Sequence, residues 1–289
     1  MHTFDYARPT TLAEAVALLQ LHGPRARILA GGTDLVIGLR DGKLQPAVVI
    51  DLKRIAELGP SIRCVGGQVT ISATTVMSDI SADPEIQRSF PALAEAARVV
   101  GSVQIRNRAT LAGNICNGSP AADTAPPLMV YGATIVAVGP QGQRRIPVAE
   151  MFIRSGTTAL ERGELVTEVE LPAATGPLGA AFTRLVRRRG TDLASITLCV
   201  SVDRAGVTRV AYGSVGPRPY LAVDESGTLA DPDAPAAARK AAWDRVFAKA
   251  SPSPRSMRAG PEYRLAMLRV LGARALATAI GRLAAEPAR

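Results

Sequence analysis

The stretch from Arg106 to Tyr131 constrains this chain more than any other. It sets small residues, side-chain amides and hydroxyls between a basic cluster on one side and an apolar helical pattern on the other. A segment so polar, with so little side chain to pack, is costly to order unless something fills it. Small residues let backbone amides approach a ligand closely, and Thr110, Asn114, Ser119 and Asp123 can then supply oriented polar contacts. The same glycine and proline content suits an ordinary surface loop between two elements, so this stretch alone admits both readings.

A second loop of the same character lies near the N-terminus. Ala30-Gly31-Gly32-Thr33-Asp34-Leu35 follows the short apolar run Arg27-Ile28-Leu29. A strand feeding a Gly-Gly turn that opens a helix presents N–H groups to an anion, because first-turn donors have no partner within the helix. The loop has neither the Gly-Lys-Ser/Thr of a P-loop nor the Gly-x-Gly-x-x-Gly dinucleotide fingerprint.

Together the two stretches resemble the flavin-binding subunit of the molybdenum hydroxylases, the medium, FAD-carrying chain of the xanthine dehydrogenase and carbon monoxide dehydrogenase family. The fold of that chain is similar to the p-cresol methylhydroxylase flavoproteins. In the family an Ala-Gly-Gly-Thr/His-Asp/Ser loop and a Thr-Leu/Ile-Gly-Gly-Asn/Asp loop hold FAD, followed by a Ser-Pro-x-x-Asp segment. Here they read Ala30, Gly31, Gly32, Thr33 and Asp34, then Thr110, Leu111, Ala112, Gly113 and Asn114, then Ser119 to Asp123. The resemblance extends from Phe4-Asp5-Tyr6-x-Arg8-Pro9 to the last helix. One departure is Ala112, which stands where the family has the first glycine of the second loop and bears on how closely the backbone approaches the cofactor.

Composition narrows the alternatives. With 289 residues, 47% of them apolar, the chain can bury one large core or two to three small ones. No run of about 18 apolar residues is present, and Met-His-Thr-Phe-Asp-Tyr lacks the pattern of a signal peptide, so a cytoplasmic protein with no membrane insertion is expected. The net charge of +9 reflects 30 arginines and 4 lysines against 25 acids. These arginines are scattered and aromatics are only 4%, so the interleaved rings and cations of a nucleic-acid platform are missing and no nucleic-acid partner is expected. The charge reads as a solvated surface and as a complement to an anionic cofactor or acidic partner subunits. Cys64, Cys116 and Cys199 stand far apart without a Cys-x-x-Cys pair, which excludes the usual iron–sulfur spacings; each reads as a small packed residue, with Cys116 also a candidate neighbour of the cofactor. His2 and His22 sit at the extreme N-terminus and at the end of the first helix, so neither metal coordination nor histidine base catalysis is indicated.

Periodicity gives the framework. An edge strand at Phe4-Asp5-Tyr6, a helix opened by the capping box Thr11 to Glu14, a strand at Arg27 to Ala30, a helix from Asp34 to Gly42 with Ile37 buried, and a strand at Ala47 to Asp51 make a βαβαβ lobe. Next come a hairpin over Ile62 to Ala73, helices Thr74 to Ile80 and Phe90 to Val100 divided by Asp83-Pro84, and a helix from Asp123 to Tyr131. A hairpin of Thr134 to Val138 with Arg145 to Val148, and a strand at Gly163 to Leu171, complete the second lobe. Pro172 to Pro177 reads as a boundary. Beyond it, strands Ala181 to Val186, Ala194 to Asp203 and Val207 to Ser214 predict an antiparallel meander, covered by helices at Ala234 to Ala250 and Pro261 to Ala284; the residues after Ala284 are expected to fray. The fold class is therefore α+β: a two-lobed FAD-binding domain of the p-cresol methylhydroxylase type at 1–175, with lobes of about 1–57 and 58–175, then a small domain at 176–289 with a three-stranded antiparallel sheet under helices.

Other candidates lie at Arg184, Arg187, Arg188, Arg189 and Asp192. The bland reading is a solvated basic turn; the segment is also similar to the family's Arg-Arg-x-x-Asp-Ile/Phe-Ala loop near the flavin ring, and Arg184 stands where some relatives carry lysine. Arg106 and Arg108 suit pyrophosphate or ring contacts, or a tie to a nearby carboxylate. Asp34 and Asp123 can each open a helix without any ligand; the resemblance instead sets Asp123 on the flavin's sugar-like chain and leaves Asp34 contributing its backbone N–H.

The resemblance thus implies an FAD-dependent oxidoreductase subunit with no catalytic or metal-ligating residues of its own. FAD is expected on this chain, and the molybdenum cofactor and [2Fe-2S] clusters on partner chains: a small iron–sulfur subunit and a large molybdopterin subunit. Electrons would go on to NAD+, a quinone or oxygen. A self-contained FAD-dependent oxidase or dehydrogenase is the alternative, disfavoured because no His, Tyr or paired carboxylates flank the motifs as a base. A nucleotide-binding or assembly protein without redox function is a third reading, supported only by Ala112.

Overall fold

The computed structural model describes residues 2–285, so most of the segment expected to fray lies outside the described residues. The first lobe runs β1 (Asp5–Ala7), α1 (Leu12–His22), β2 (Ala26–Leu29), α2 (Leu35–Arg40) and β3 (Val48–Asp51). All three strands are parallel in the order β1-β3-β2, which places β1 at an edge as expected. Thr11 caps α1 by accepting the Glu14 N–H, while Glu14 reaches back to the N–H of Thr10 at 2.7 Å. Ile37 is 53% exposed and Leu39 is the buried residue of α2, contrary to the expectation. A helix of six residues presents too short a stripe for spacing to identify its inner face.

The second lobe holds a five-stranded antiparallel sheet of order β4-β5-β10-β6-β7, built from β4 (Ile62–Val65), β5 (Gln68–Ser72), β6 (Thr134–Gly139), β7 (Gly142–Pro147) and β10 (Leu165–Leu171). Between β5 and β6 run α3 (Met77–Ala82), α4 (Pro84–Ser89), α5 (Pro91–Arg98), α6 (Val103–Arg106), α7 (Leu111–Cys116) and α8 (Ala125–Val130); α9 (Val148–Met151) and the small pair β8 (Phe152–Arg154) and β9 (Thr157–Thr158) follow β7. The first of these helices starts at Met77 rather than Thr74, because Thr74 and Thr75 turn their hydroxyls to the carbonyls of Leu58 and Ser61. Asp83 accepts the Ile86 N–H and opens α4, a helix the sequence pattern passed over. β10 is the central strand, and its Leu165 also enters the first lobe's core beside Ala15, Val48 and Ile50.

The C-terminal domain is a meander of β11 (Leu178–Leu185), β12 (Ile196–Asp203), β13 (Thr208–Gly213) and β14 (Tyr220–Asp224), with α10 (Ala236–Val246) and α11 (Pro261–Ala285). The sheet therefore has four strands where the sequence indicated three. Strict alternation along β12 divides it. Ile196, Leu198, Val200 and Val202 face the helices with Trp243, Leu268 and Leu276, and Cys199 joins the second lobe's core with Ala180 and Ala211. Arg282 on α11 pairs with Glu95 on α5 and donates to the Ala180 carbonyl at 2.6 Å, while Glu95 accepts the Phe182 N–H at 3.1 Å. No helix among the described residues is long and apolar enough to cross a membrane.

Candidate functional site

Each loop is held open by a local device. Gly32 has φ of 76°, a left-handed conformation that favours glycine, and its carbonyl accepts the Val36 N–H at 2.9 Å. The N–H groups of Gly31, Gly32, Thr33 and Asp34 donate no hydrogen bond among the described residues. Asp34 itself caps nothing with its side chain. In the second loop Thr110 is extended and caps α7, its Oγ1 accepting the Gly113 N–H at 3.0 Å. Asn114 accepts the Thr124 hydroxyl at 2.7 Å, and Ser119 accepts the Ala121 N–H at 3.2 Å. These side chains are committed to shaping the segment.

The two loops meet. A Cβ on Gly31 would lie 2.1 Å from the Arg108 carbonyl oxygen and 3.0 Å from the Ala109 Cα, so the backbones of the two lobes touch where only glycine fits. Ala112 is 4% exposed and its methyl group belongs to the second lobe's core. The extra carbon of this departure from the family pattern is thus packed within the protein.

Asp123 joins this arrangement to the C-terminal domain. It does not cap α8; its Oδ2 accepts from Arg184 Nη1 at 2.9 Å, with both side chains 12% exposed. Burial pushes the Asp123 carboxyl up to about 6, against the opposing pull of the Arg184 guanidinium and of the Thr197 hydroxyl. Its Oδ1 is enclosed and without a partner. Pro120 seats the same segment on the sheet: its carbonyl accepts the Ser214 N–H at 2.7 Å, and a Cβ on Gly213 would meet that oxygen at 2.6 Å. Ser214 has φ of 66°, an uncommon value for a residue with a side chain, and buried Arg264 holds its carbonyl at 2.8 Å.

The arginine candidates separate. Arg187 and Asp192 form a bidentate pair closed within their own turn, which holds the Asp192 carboxyl down at about 2, and Arg188 binds the Thr191 carbonyl. Leu193 beside them is 57% exposed. Arg106 donates to the Val100 and Gly101 carbonyls, whereas exposed Arg108 makes no side-chain hydrogen bond or ion pair among the described residues. Cys116 is accessible as a residue, while burial of its thiol pushes it up to about 12, so it is no ready thiolate. Among the described residues no cluster of three or more His, Cys, Asp or Glu is placed to hold a metal.

These features fit FAD. Four unengaged amides beside a glycine crossing suit a pyrophosphate, and a buried carboxylate with unused acceptor capacity suits a polyhydroxyl chain. One residue of this cluster carried no signal in the sequence reading: Thr197, which is cross-strand partner to Arg184 and fully buried. The alternation of small and large residues along Ile196 to Val202 is the pattern that separates its face.

Comparison with known proteins identifies the family. Residues 2–174 match the family described as the FAD binding domain in molybdopterin dehydrogenase, and residues 181–279 match the carbon monoxide dehydrogenase flavoprotein C-terminal domain. The carbon monoxide dehydrogenase medium chain of Hydrogenophaga pseudoflava is 34% identical over 97% of this chain and 98% of its own length. A putative xanthine dehydrogenase FAD-binding subunit of Escherichia coli is 30% identical over 96% and 97%. A solved structure of the Hydrogenophaga pseudoflava enzyme lacking the Mo-pyranopterin moiety superposes with a TM-score of 0.89 over 97% of this chain and 98% of that one.

Proposed function

The chain belongs to the family of FAD-binding medium subunits of the molybdenum hydroxylases, and on that premise we propose that it is the electron-transfer subunit of a multi-subunit dehydrogenase whose substrate is oxidised on a partner chain. A bound flavin would supply the redox chemistry, linking [2Fe-2S] clusters on a small subunit and a large molybdopterin subunit to an acceptor such as NAD+, a quinone or oxygen. The residues of this chain grip, orient and enclose. Gly31, Gly32, Thr33 and Asp34, with Ala30 preceding them, would offer N–H groups to the pyrophosphate. Thr110, Leu111, Ala112, Gly113 and Asn114 would wall the opposite side, and Asp123, steadied by Arg184, would accept from the hydroxyls of the sugar-like chain. We assign this grip to residues 1–175 and the steadying sheet to 176–289.

The observation that carries the reading is the contact between Gly31 and the Arg108–Ala109 backbone, which brings the two motif loops together from separate lobes. An absorption spectrum of the purified chain, with the released chromophore identified by mass, tests it. About one equivalent of FAD is expected; a colourless protein that cannot be reconstituted with FAD, alone or in the complex from its native host, overturns it. Iron and molybdenum analysis of that complex tests the assembly, and a functional complex containing neither would exclude the proposed partners.

A further inference from the structure

Arg184, Thr197 and Gly213 are direct neighbours across three strands, β11, β12 and β13, so their side-chain positions form one row on the face turned toward the second lobe. Pro120 rests on the Gly213 end of that row and Asp123 on the Arg184 end. Thr197 occupies the middle, with no exposed surface, and its Oγ1 has no hydrogen-bond partner of normal geometry. Asp123 Oδ1 is likewise enclosed and unpartnered. One enclosed atom carries a proton to donate, and the other is an acceptor with nothing to accept.

Valine has nearly the same shape as threonine and packs as well in a central strand. A hydroxyl at this position therefore needs a reason, and the carboxylate held by its cross-strand neighbour Arg184 is the reason available. We propose that Thr197 is a positioning residue for the flavin site: it donates to Asp123 Oδ1 from beneath while Arg184 holds Oδ2, fixing the carboxylate so that the remaining acceptor capacity of Oδ2 points to the cofactor's hydroxyl chain. The inference rests on the FAD reading above. It adds that the C-terminal sheet supplies two orienting contacts to a carboxylate belonging to the other domain.

The charge balance gives the inference a signature. Arg184 is the charged group acting on Asp123, and the Thr197 hydroxyl favours the ionised carboxylate against the burial that disfavours it. With the hydroxyl removed, the pKa of Asp123 is expected to rise further. Flavin binding that depends on the ionised oxygen should then fail at a higher pH.

The test is a fluorescence titration of the flavin-free full chain with FAD at several pH values, for the wild type, Thr197→Val and Thr197→Ser. Thr197→Val is expected to bind FAD about tenfold more weakly at neutral pH, with its loss of binding on acidification displaced upward, and Thr197→Ser is expected to restore both. In the Asp123→Asn background the Thr197→Val change should have no further effect. Should Thr197→Val fail to fold by circular dichroism, Thr197→Ala against Thr197→Ser makes the same comparison of hydroxyl present and absent. Equal affinity and equal pH dependence with and without the hydroxyl would overturn the inference while leaving the FAD reading intact. Failure of the wild type itself to bind FAD would overturn both.

Discussion

The two faces of the C-terminal sheet are made from the same four strands and obey different rules. Toward α10 and α11, the face is large and apolar: Leu198, Val200 and Tyr212 are fully buried, Trp243 stacks on Phe247 at 5.3 Å, and the Tyr212 hydroxyl reaches the Val246 carbonyl. Toward the second lobe, the face carries Arg184, Thr197, Cys199 and Ser201, and the hydroxyls of Thr197 and Ser201 are buried without partners. Packing of large side chains dominates the first face, with Arg239 Nε on α10 and Arg264 Nε on α11 the enclosed polar atoms left without partners on its helices among the described residues. The second is left with unsatisfied groups, and a buried polar atom without a partner costs about 1–3 kcal/mol. Such a cost is tolerated where a site needs oriented polar groups, which is the role proposed for Thr197.

The largest expected effect lies on the helix face. A Cβ on Gly179 would lie 1.9 Å from the Ala279 carbonyl oxygen in α11, so Gly179→Val must push the helix off the sheet. A loss of more than about 4 kcal/mol is expected, read as failure of the C-terminal domain to unfold cooperatively in denaturant. Trp243→Ala follows, at about 3–5 kcal/mol, because it empties the stack against Phe247 and the space over Gly272. Retention of normal stability by either variant would break the distinction between the faces.

On the site face the expected losses appear in binding. Asp123→Asn should weaken FAD by about tenfold or more, about 1.4 kcal/mol, while changing stability by about 1 kcal/mol or less, since the amide still offers Arg184 an acceptor. The pH dependence follows from the raised carboxyl. Its value of about 6 lies above the usual carboxylate value near 4, so from about pH 4 to pH 6 the folded, ligand-free chain holds the proton more tightly than the unfolded one. That group's contribution to stability grows as the pH falls through this window, while hydrogen bonds from ligand hydroxyls to the charged oxygen weaken. Thermal unfolding of the flavin-free chain and FAD titration should therefore respond in opposite directions in the wild type, and neither component should appear in Asp123→Asn. The smallest effect sharpens the contrast: Ser201→Ala removes a buried hydroxyl with no partner and should leave stability unchanged or raise it by up to about 1 kcal/mol without affecting FAD affinity.

The sequence revealed these features unevenly, for physical reasons. The two loops were legible because their chemistry is local: Gly31-Gly32 and Thr110 to Asn114 each announce a backbone conformation within a few residues. The first lobe's order followed from apolar alternation and the cap at Thr11. β14 was missed because Tyr220 to Asp224 follows the run Gly216-Pro217-Arg218-Pro219, which has the composition of a loop; its strand character comes from pairing with β13. Arg184 was identified through the family pattern, but its bond to Asp123 depends on how the two domains pack and leaves no local trace. Thr197 is the extreme case, an ordinary strand residue given its significance by a carboxylate carried on a distant loop.

The place of β10 has a consequence in time. A ribosome delivers the chain from its N-terminus, so the β4–β5 hairpin and both motif loops emerge well before the strand that pairs β5 with β6. The second lobe cannot close until Leu171 is available, and Arg184 and Thr197 come later still. A nascent chain halted before β10 holds every glycine of the two motifs and no completed cleft, so a site built from both loops forms only after that strand has emerged.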